Sequence, residues 1–408
     1  MGKKIKIICF LLSIILCMIT FSGCYDNNEI EDLAYVIAIG IDVSDSNTFN
    51  LTFQTAVPKS IAGGEGGGGG GGGGESTDIT SFKTDNFLSG IKKANEYLNR
   101  KINLSHTKII VVSEDIAKEG VTAFLNGLQQ NIEIRPDVNI IVSSEGAKKY
   151  LESIEPKLSS NPAKYYSLLF ESYESDFLVP ETELEDYLYR AKNYTTQPVA
   201  IYTGTDKDVN EASKPSSTGE DSKSDGESKK SGENPKETMS IKGLAVFQMD
   251  KMVGQLDPKE STLFALLTGT KNKDIEVTDP LDSRFNVLGN VKKENTSSIR
   301  VKIEKGKPKI NMNLKLSVDV KAVQSDNDYN DPKKAAELKA AYKDYISNGL
   351  KTLLEKVTTE YKSDIFGFGK LAKQNFLTID EWEKAKWQEI FPQSEYDLNV
   401  DVEIMRRG

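Results

Sequence analysis

Between residues 310 and 320, Ile310, Met312, Leu314, Leu316, Val318 and Val320 alternate without a break with Asn311, Asn313, Lys315, Ser317 and Asp319. Successive side chains of an extended strand point to opposite faces, so this run is buried only as a sheet with one dry and one wet face. Ile299, Val301 and Ile303 show the same alternation just upstream, and Leu398, Val400, Val402 and Ile404 show it again further on. Antiparallel sheets permit such one-sided burial. Between the strands, Asp331-Pro332 offers an N-cap followed by proline at the first helical position. Leu338, Tyr342, Tyr345, Gly349, Leu353, Val357 and Tyr361 then recur every three or four residues, which predicts a helix of roughly 30 residues, about 45 Å long. Ile-Phe-Gly-Phe-Gly at 365–369 interrupts that pattern, and Asp380 with Glu383 reads as a capping box for a short helix bearing Trp382 and Trp387. Upstream, residues 244–249 and 252–256 flank Asp250-Lys251 as a hairpin. Residues 240–408 are therefore expected to form an α+β domain with a largely antiparallel sheet and a long helix.

Residues 24–203 follow a different rhythm. The run 35–41 reads as a buried strand, and Phe49, Leu51, Phe53, Thr55 and Val57 alternate in a second strand that completes a hairpin. Phe87, Ile91, Ala94 and Leu98 share one helical face, and Val121, Phe124, Leu125, Leu128 and Ile132 share another. Short apolar strands at 109–112 and 138–142 bracket the second helix, which gives an α/β region. The aromatic segment 161–178 and the stripe Leu184, Tyr187, Leu188 and Ala191 are expected to be packed helices rather than ligand surfaces. The fold class expected for the whole is α+β: mixed sheets with packed helices in more than one domain.

Two biased tracts punctuate the chain. The glycines of 63–74 lack the Lys and hydroxyl residue of a phosphate loop, so the tract is expected to be a flexible loop. The stretch 204–239 has almost no apolar side chains to offset the entropy of ordering and is expected to be disordered. It is read as an interdomain linker in preference to a long surface loop, because strand patterns resume directly after it.

The start of the chain has an export pattern. Lys3, Lys4 and Lys6 precede an apolar run over 7–21, short of the roughly 20 residues that span a bilayer. Phe21-Ser22-Gly23-Cys24 resembles a bacterial lipobox, with Phe21 where leucine is more usual. The expectation is a signal peptide over 1–23, cleaved before a Cys24 that is lipidated through a diacylglyceryl thioether. Cys9 and Cys17 lie inside that signal, so only Cys24 survives maturation and no intrachain disulfide forms. No second apolar stretch approaches membrane-spanning length. The net charge of -9 leaves no broad basic surface for nucleic acid.

The inventory for catalysis is thin. His106 is the one histidine, which excludes Cys-His pairs and sites needing two histidines; it is expected to cap or pack beside the 109–112 strand. Ser105 precedes it without a nucleophile-elbow pattern. Sixty-one acidic residues offer no spacing that nominates a glycosidase pair or a calcium loop. No catalytic residue, metal ligand or cofactor site is nominated, and the chain is read as not an enzyme.

Several blocks carry a family resemblance. Gly23-Cys24-Tyr25-Asp26 and the stretch 29–42, Glu-Ile-Glu-Asp-Leu-Ala-Tyr-Val-Ile-Ala-Ile-Gly-Ile-Asp, form the opening. Ser105-His106-Thr107-Lys108, Ile134-Arg135-Pro136, the stretch 242–247 and Asp250-Lys251-Met252-Val253-Gly254 follow in order. Residues 365–369, Trp382, Trp387, Phe391-Pro392 and the strand 400–407 close the series. Together they resemble the Ger(x)C lipoproteins, the C subunits of GerA-type spore germinant receptors, across nearly the whole mature chain. The glycine tract and the hydrophilic stretch are departures that look like insertions. The resemblance implies a non-enzymatic subunit needed for receptor assembly or signalling, acting beside integral-membrane A and B subunits. It implies a place on the outer surface of the endospore inner membrane. It also implies three α/β-containing domains, which leaves room for a further boundary inside 24–203. The competing readings are a lipoprotein that binds the nutrient directly and passes it to its membrane partners, and a cell-wall or sugar-active enzyme.

Overall fold

The computed structural model describes residues 32–45, 48–57, 77–129, 133–154, 162–175, 182–205, 239–269 and 272–405, with positions 2, 5, 7, 8, 10 and 13 before them. Cys24 and the glycine tract lie outside the described residues, as do Ile132 and much of 204–239.

The expected hairpin is present. Strand β1 (Leu33–Val43) pairs antiparallel with β2 (Phe49–Ala56), Ile41 opposite Leu51, and β3 (Thr77–Thr84) adds to the far edge of β2. Helix α1 (Phe87–Leu98) leads to β4 (Lys101–Asn103), a short strand parallel to the start of β1. Strand β5 (Ile109–Ser113) lies parallel to β1, followed by helices α2 (Glu114–Glu119) and α3 (Thr122–Gln129). Next come β6 (Asn139–Ser143), α4 (Ala147–Ser153), α5 (Pro162–Ser175), α6 (Leu184–Ala191) and β7 (Val199–Thr205). Strands β1, β5, β6 and β7 run parallel, so their starts share one end of the sheet. Ile109, Val111 and Ile141 face one core while Ile110, Val112, Ile140 and Val142 face the other. Burial on both faces is why these strands read as unbroken apolar runs.

The hydrophilic stretch is not placed as a domain linker. Strand β8 (Met239–Gln248) pairs antiparallel with β7, Thr205 opposite Met239, so residues 206–238 join neighbouring strands of one sheet. Strand β9 (Lys251–Leu256) completes the edge. The hairpin expected at the head of the C-terminal domain therefore finishes the first sheet, whose order is β3-β2-β1-β5-β6-β7-β8-β9 with β4 beside β1. Periodicity identifies strands but not their partners.

Helix α7 (Pro258–Thr268) crosses to the second sheet, entered through a capping box in which Asp257 accepts from Glu260 N and Glu260 accepts from Asp257 N. Strands β10 (Lys273–Thr278) and β11 (Asn286–Lys293) pair antiparallel. Strand β12 (Ser298–Glu304) continues the course of β11 along the same edge of β13 (Lys307–Val323), and the residues between them bulge around Lys315. Strand β14 (Glu395–Met405) takes the other edge of β13 in parallel register, Val318 opposite Ile404. The remaining pairs are antiparallel, as the one-faced alternation predicts.

Helix α8 (Pro332–Glu355) starts at Asp331, whose carboxylate accepts from Lys333 N and Lys334 N. It passes into a π-helical turn over Lys356–Glu360, so its full course approaches the expected length. Helices α9 (Phe368–Ala372), α10 (Ile379–Ala385) and α11 (Trp387–Ile390) precede β14. The cap of α10 differs from the expected Asp380–Glu383 pair: Thr378 accepts from Glu381 N, and Glu381 accepts from Leu377 N. The same spacing of cap and carboxylate fits two residues earlier, and the backbone turn selects that register. Leu244, Val246, Leu263, Leu350, Leu353, Met312 and Leu316 belong to one continuous core, so α7 and α8 are packed between the sheets.

Candidate functional site

The segment after α8 joins the two sheets. Asp364 is buried, and its carboxylate accepts from Gly367 N at 2.9 Å, Phe368 N at 3.0 Å, Gly369 N at 2.7 Å and Trp387 Nε1 at 2.9 Å. Burial holds its pKa up at about 6 against the pull of those four donors. Its carbonyl accepts from Gln197 N at 2.8 Å, just before β7. The Gln197 side chain in turn accepts from Met249 N in the β8–β9 turn and donates to Asn193 O at 3.2 Å. The glycines of 365–369 have reasons to be glycine. Gly367 sits at φ +75°, and a Cβ on Gly369 would come within 2.7 Å of both Thr195 O and Trp387 Nε1. The interrupting motif is thus a clasp that pulls α9 and α11 onto the end of the first sheet.

Outside the clasp runs an open cleft. One lobe of about 470 Å³ is lined by Tyr189, Lys192, Tyr194, Lys370, Lys373 and Trp382 among others. A second of about 390 Å³ continues from Tyr194, Lys373 and Trp382 to Ile379, Glu383, Lys386 and Glu389. Trp382 stacks on Trp387 with ring centroids 6.0 Å apart, and Trp387 packs on Phe391 at 5.7 Å. Tyr189 and Tyr194 are each 57 % exposed, Ile379 is 65 % exposed and Leu377, just before α10, is 95 % exposed. Lys192, Lys370 and Lys373 have no carboxylate partner among the described residues, whereas Lys386 pairs with Glu389 at 2.9 Å. Such a surface offers aromatic faces and ammonium groups but no nucleophile with a base. It suits binding rather than bond-making.

The residues considered from sequence for chemistry lie elsewhere. His106 is exposed and stacks on Tyr35 at 5.1 Å, a packing role. The Ser105 hydroxyl donates to Asn103 Oδ1 at 2.5 Å, and its oxygen lies 3.5 Å from His106 Nδ1, the longer of the two contacts. Among the described residues, no three His, Cys, Asp or Glu side chains converge as a metal site. Cys24 lies outside the described residues. Sequence reading marked Trp382 and Trp387, the only two tryptophans of the chain, but not Tyr189, Tyr194 or the lysines facing them. Only the clasp brings those two segments together.

Elsewhere, Asp42 at the end of β1 accepts from Ala147 N at 2.7 Å and Lys148 N at 2.9 Å, capping α4. Its burial outweighs those donors and raises its pKa. This explains the aspartate that ends the opening block as a structural residue.

A family model described as "Spore germination protein N-terminal domain" matches residues 26–205, and one described as "Spore germination B3/ GerAC like, C-terminal" matches residues 242–408. Spore germination protein KC of Bacillus subtilis (strain 168) is 24% identical over 97% of this chain and 94% of its own length. Spore germination protein B3 of the same organism is 22% identical over 96% of each chain. Spore germination protein GerQC of Bacillus cereus is 20% identical over 95% of each. The crystal structure of the GerBC protein aligns with a TM-score of 0.53 at 15% identity, over 90% of this chain and 97% of that one, a likeness of fold. The two family models abut the hydrophilic stretch, yet the first sheet runs across that boundary through β8 and β9. With both models matched in chain order and relatives aligned nearly end to end, the chain belongs to the GerAC family of spore-germination proteins, the C subunits of germinant receptors.

Proposed function

We propose that this chain is a lipid-anchored, non-enzymatic subunit of a nutrient germinant receptor, required for receptor assembly or signalling beside integral-membrane A and B subunits. The observation that carries this reading is the match to both halves of the GerAC family along one chain. Lipidation at Cys24 follows from the basic start, the short apolar run and the small residues before that cysteine. Two acyl chains hold a protein stably because each buried methylene contributes about 0.8 kcal/mol. Among the described residues no helix is long and apolar enough to cross a membrane. The anchor then confines the body to the outer surface of the endospore inner membrane and raises its effective concentration around its partners.

The test is copurification from spore membranes of cells carrying the wild-type chain or Cys24→Ala. The wild type is expected to bring down two integral-membrane proteins, and the variant to leave the membrane fraction with loss of nutrient-triggered germination. A variant that stays in the membrane and supports normal germination rules out the anchor as the basis of function. Direct nutrient binding is the second reading, favoured by the aromatic cleft. Small-molecule sites enclose most of their ligand, so calorimetric titration of amino acids and sugars into the purified chain is expected to give no binding heat. Saturable heat that Tyr194→Ala removes would favour the second reading.

A further inference from the structure

The clasp end of the first sheet is also the end from which the anchored segment leaves. Strands β1, β5, β6 and β7 start there, and β1 lies three strand spacings from β7, about 14 Å. The loop carrying Tyr194 enters β7 at that end, and the cleft opens beside it. Eight residues separate Cys24 from Leu33, nine chain steps with a reach of at most about 30 Å. An acyl anchor on Cys24 therefore holds this end within about 30 Å of the bilayer surface.

The chemistry of that end matches a lipid headgroup region. Leu377 and Ile379 project into solvent on a short connection and the start of α10, and no described residue covers them. Tyr194 lines the same lobe as Ile379 and Tyr189 the adjoining one, exposed amphipathic rings of the kind favoured where hydrocarbon meets headgroups. The cleft is lined by Lys192, Lys370, Lys373 and Lys386 against Glu383 and Glu389, a local excess of positive charge on a chain whose net charge is -9. Asp380 and Glu381 stand on the first turn of α10, with Glu381 engaged by Leu377 N, so the excess is concentrated on the α6 and α9 side. An acidic body beside an anionic bilayer is repelled everywhere except where such a patch faces the lipid.

We propose that this face is a membrane-contact surface for anionic phospholipid: Leu377 and Ile379 enter the headgroup region, and Lys192, Lys370 and Lys373 pair with lipid phosphates. The contact fixes the tilt of the body on its leash. This inference rests on the proposed anchor for delivery to the membrane and for bringing this end of the first sheet near it.

The two tryptophans make the test specific, since both belong to the wall of this cleft and the chain has no others. The full lipidated chain is mixed with excess vesicles of phosphatidylcholine, or of an equimolar mixture with phosphatidylglycerol, each doped with a nitroxide-headgroup lipid. Tryptophan quenching and flotation are read together. Quenching is expected on the anionic vesicles, with strong reduction in 1 M salt, where the screening length is about 3 Å. Changing Lys192, Lys370 or Lys373 to Glu is expected to lower the quenching on anionic vesicles about fivefold or more each, with flotation unchanged. Leu377→Ser with Ile379→Ser is expected to abolish quenching while the thermal melt, checked in parallel, is unchanged. A chain that floats but is not quenched keeps the anchor and sinks this surface; a chain that is quenched without an acyl group keeps the surface and sinks the anchor. A chain that neither floats nor is quenched sinks both. Quenching equal on neutral and anionic vesicles, or arising only after co-reconstitution with the integral-membrane subunits, overturns the assignment to anionic lipid and, in the second case, gives the face to a protein.

Discussion

Two buried aspartates show how one side chain closes a joint between distant segments, and they respond to pH in opposite senses. Asp364 has its pKa raised by burial to about 6. Between its ordinary value and that one, the folded state holds a proton that the unfolded chain has released. Its contribution to stability therefore falls as pH rises from about 4 to about 6, by about 3 kcal/mol. Asp279 is also buried, which alone would raise its pKa, but hydrogen bonds from Ser325, Tyr329, Leu281 N and Asn327 lower it to about 2. Its contribution is fully present above about pH 4 and is lost as pH falls towards 2, by about 2 kcal/mol. Denaturant titrations of the wild type, Asp364→Asn and Asp279→Asn across this range will check both signs: each variant loses one arm of the profile. Asp364→Asn also turns an amide NH₂ towards donors that a carboxylate accepted, and is expected to cost about 2–4 kcal/mol at neutral pH. A variant as stable as the wild type would mean that the clasp does not depend on that carboxylate.

Among the elements, α8 joins the sheets. Leu338, Ile346, Leu350 and Leu353 are fully buried, and the Tyr342 hydroxyl reaches Ile275 O at 3.2 Å and Val287 O at 3.0 Å, spanning β10 and β11. Its Asp331 cap is exposed, so removing the carboxylate disturbs only the helix start. Asp331→Ala is expected to lower stability by about 1 kcal/mol in a thermal or denaturant melt, with Asp331→Ser recovering most of it. Equal losses in both variants would show that the carboxylate has a role beyond capping. Ile346, Leu350 and Leu354 complete the buried face of this helix without having been marked in its sequence, whereas the cap and the buried positions Leu338, Tyr342 and Leu353 were legible there. Its π-helical end was not, because Lys356–Glu360 is shaped by partners outside the helix: Tyr361 donates to Gln255 O, and Lys356 pairs with Glu260 at 2.8 Å.

For the molecule as a whole, the decisive pairing is β7 with β8. Thr205 and Met239 lie opposite each other, so a two-residue Asn-Gly turn can replace 206–238 without moving either strand. Shortening the connection that far should raise stability by about 2 kcal/mol through loop-closure entropy. A denaturant titration with unchanged circular dichroism will measure it. Collapse of the fold would mean that the stretch supplies structure rather than a connection. Cutting instead at residue 205 is expected to give an insoluble or unfolded N-terminal fragment, because the edge of β7 and the faces under Leu244 and Val246 lose their cover.

The sequence by itself determined the local periods: which runs extend, which coil, where Asp331 starts a helix and where glycine interrupts one. Those follow from side-chain geometry over a few residues, and they needed no neighbour. It also marked the family blocks and the two tryptophans. Only the tertiary structure decided that β8 and β9 complete the first sheet, that Asp364 gathers donors from two helices, and that Tyr189 and Tyr194 face Lys370 and Lys373 across a cleft. Partner choice between strands and the meeting of segments some 180 residues apart depend on how two apolar faces are buried together, a property of the whole chain that no short window of sequence contains.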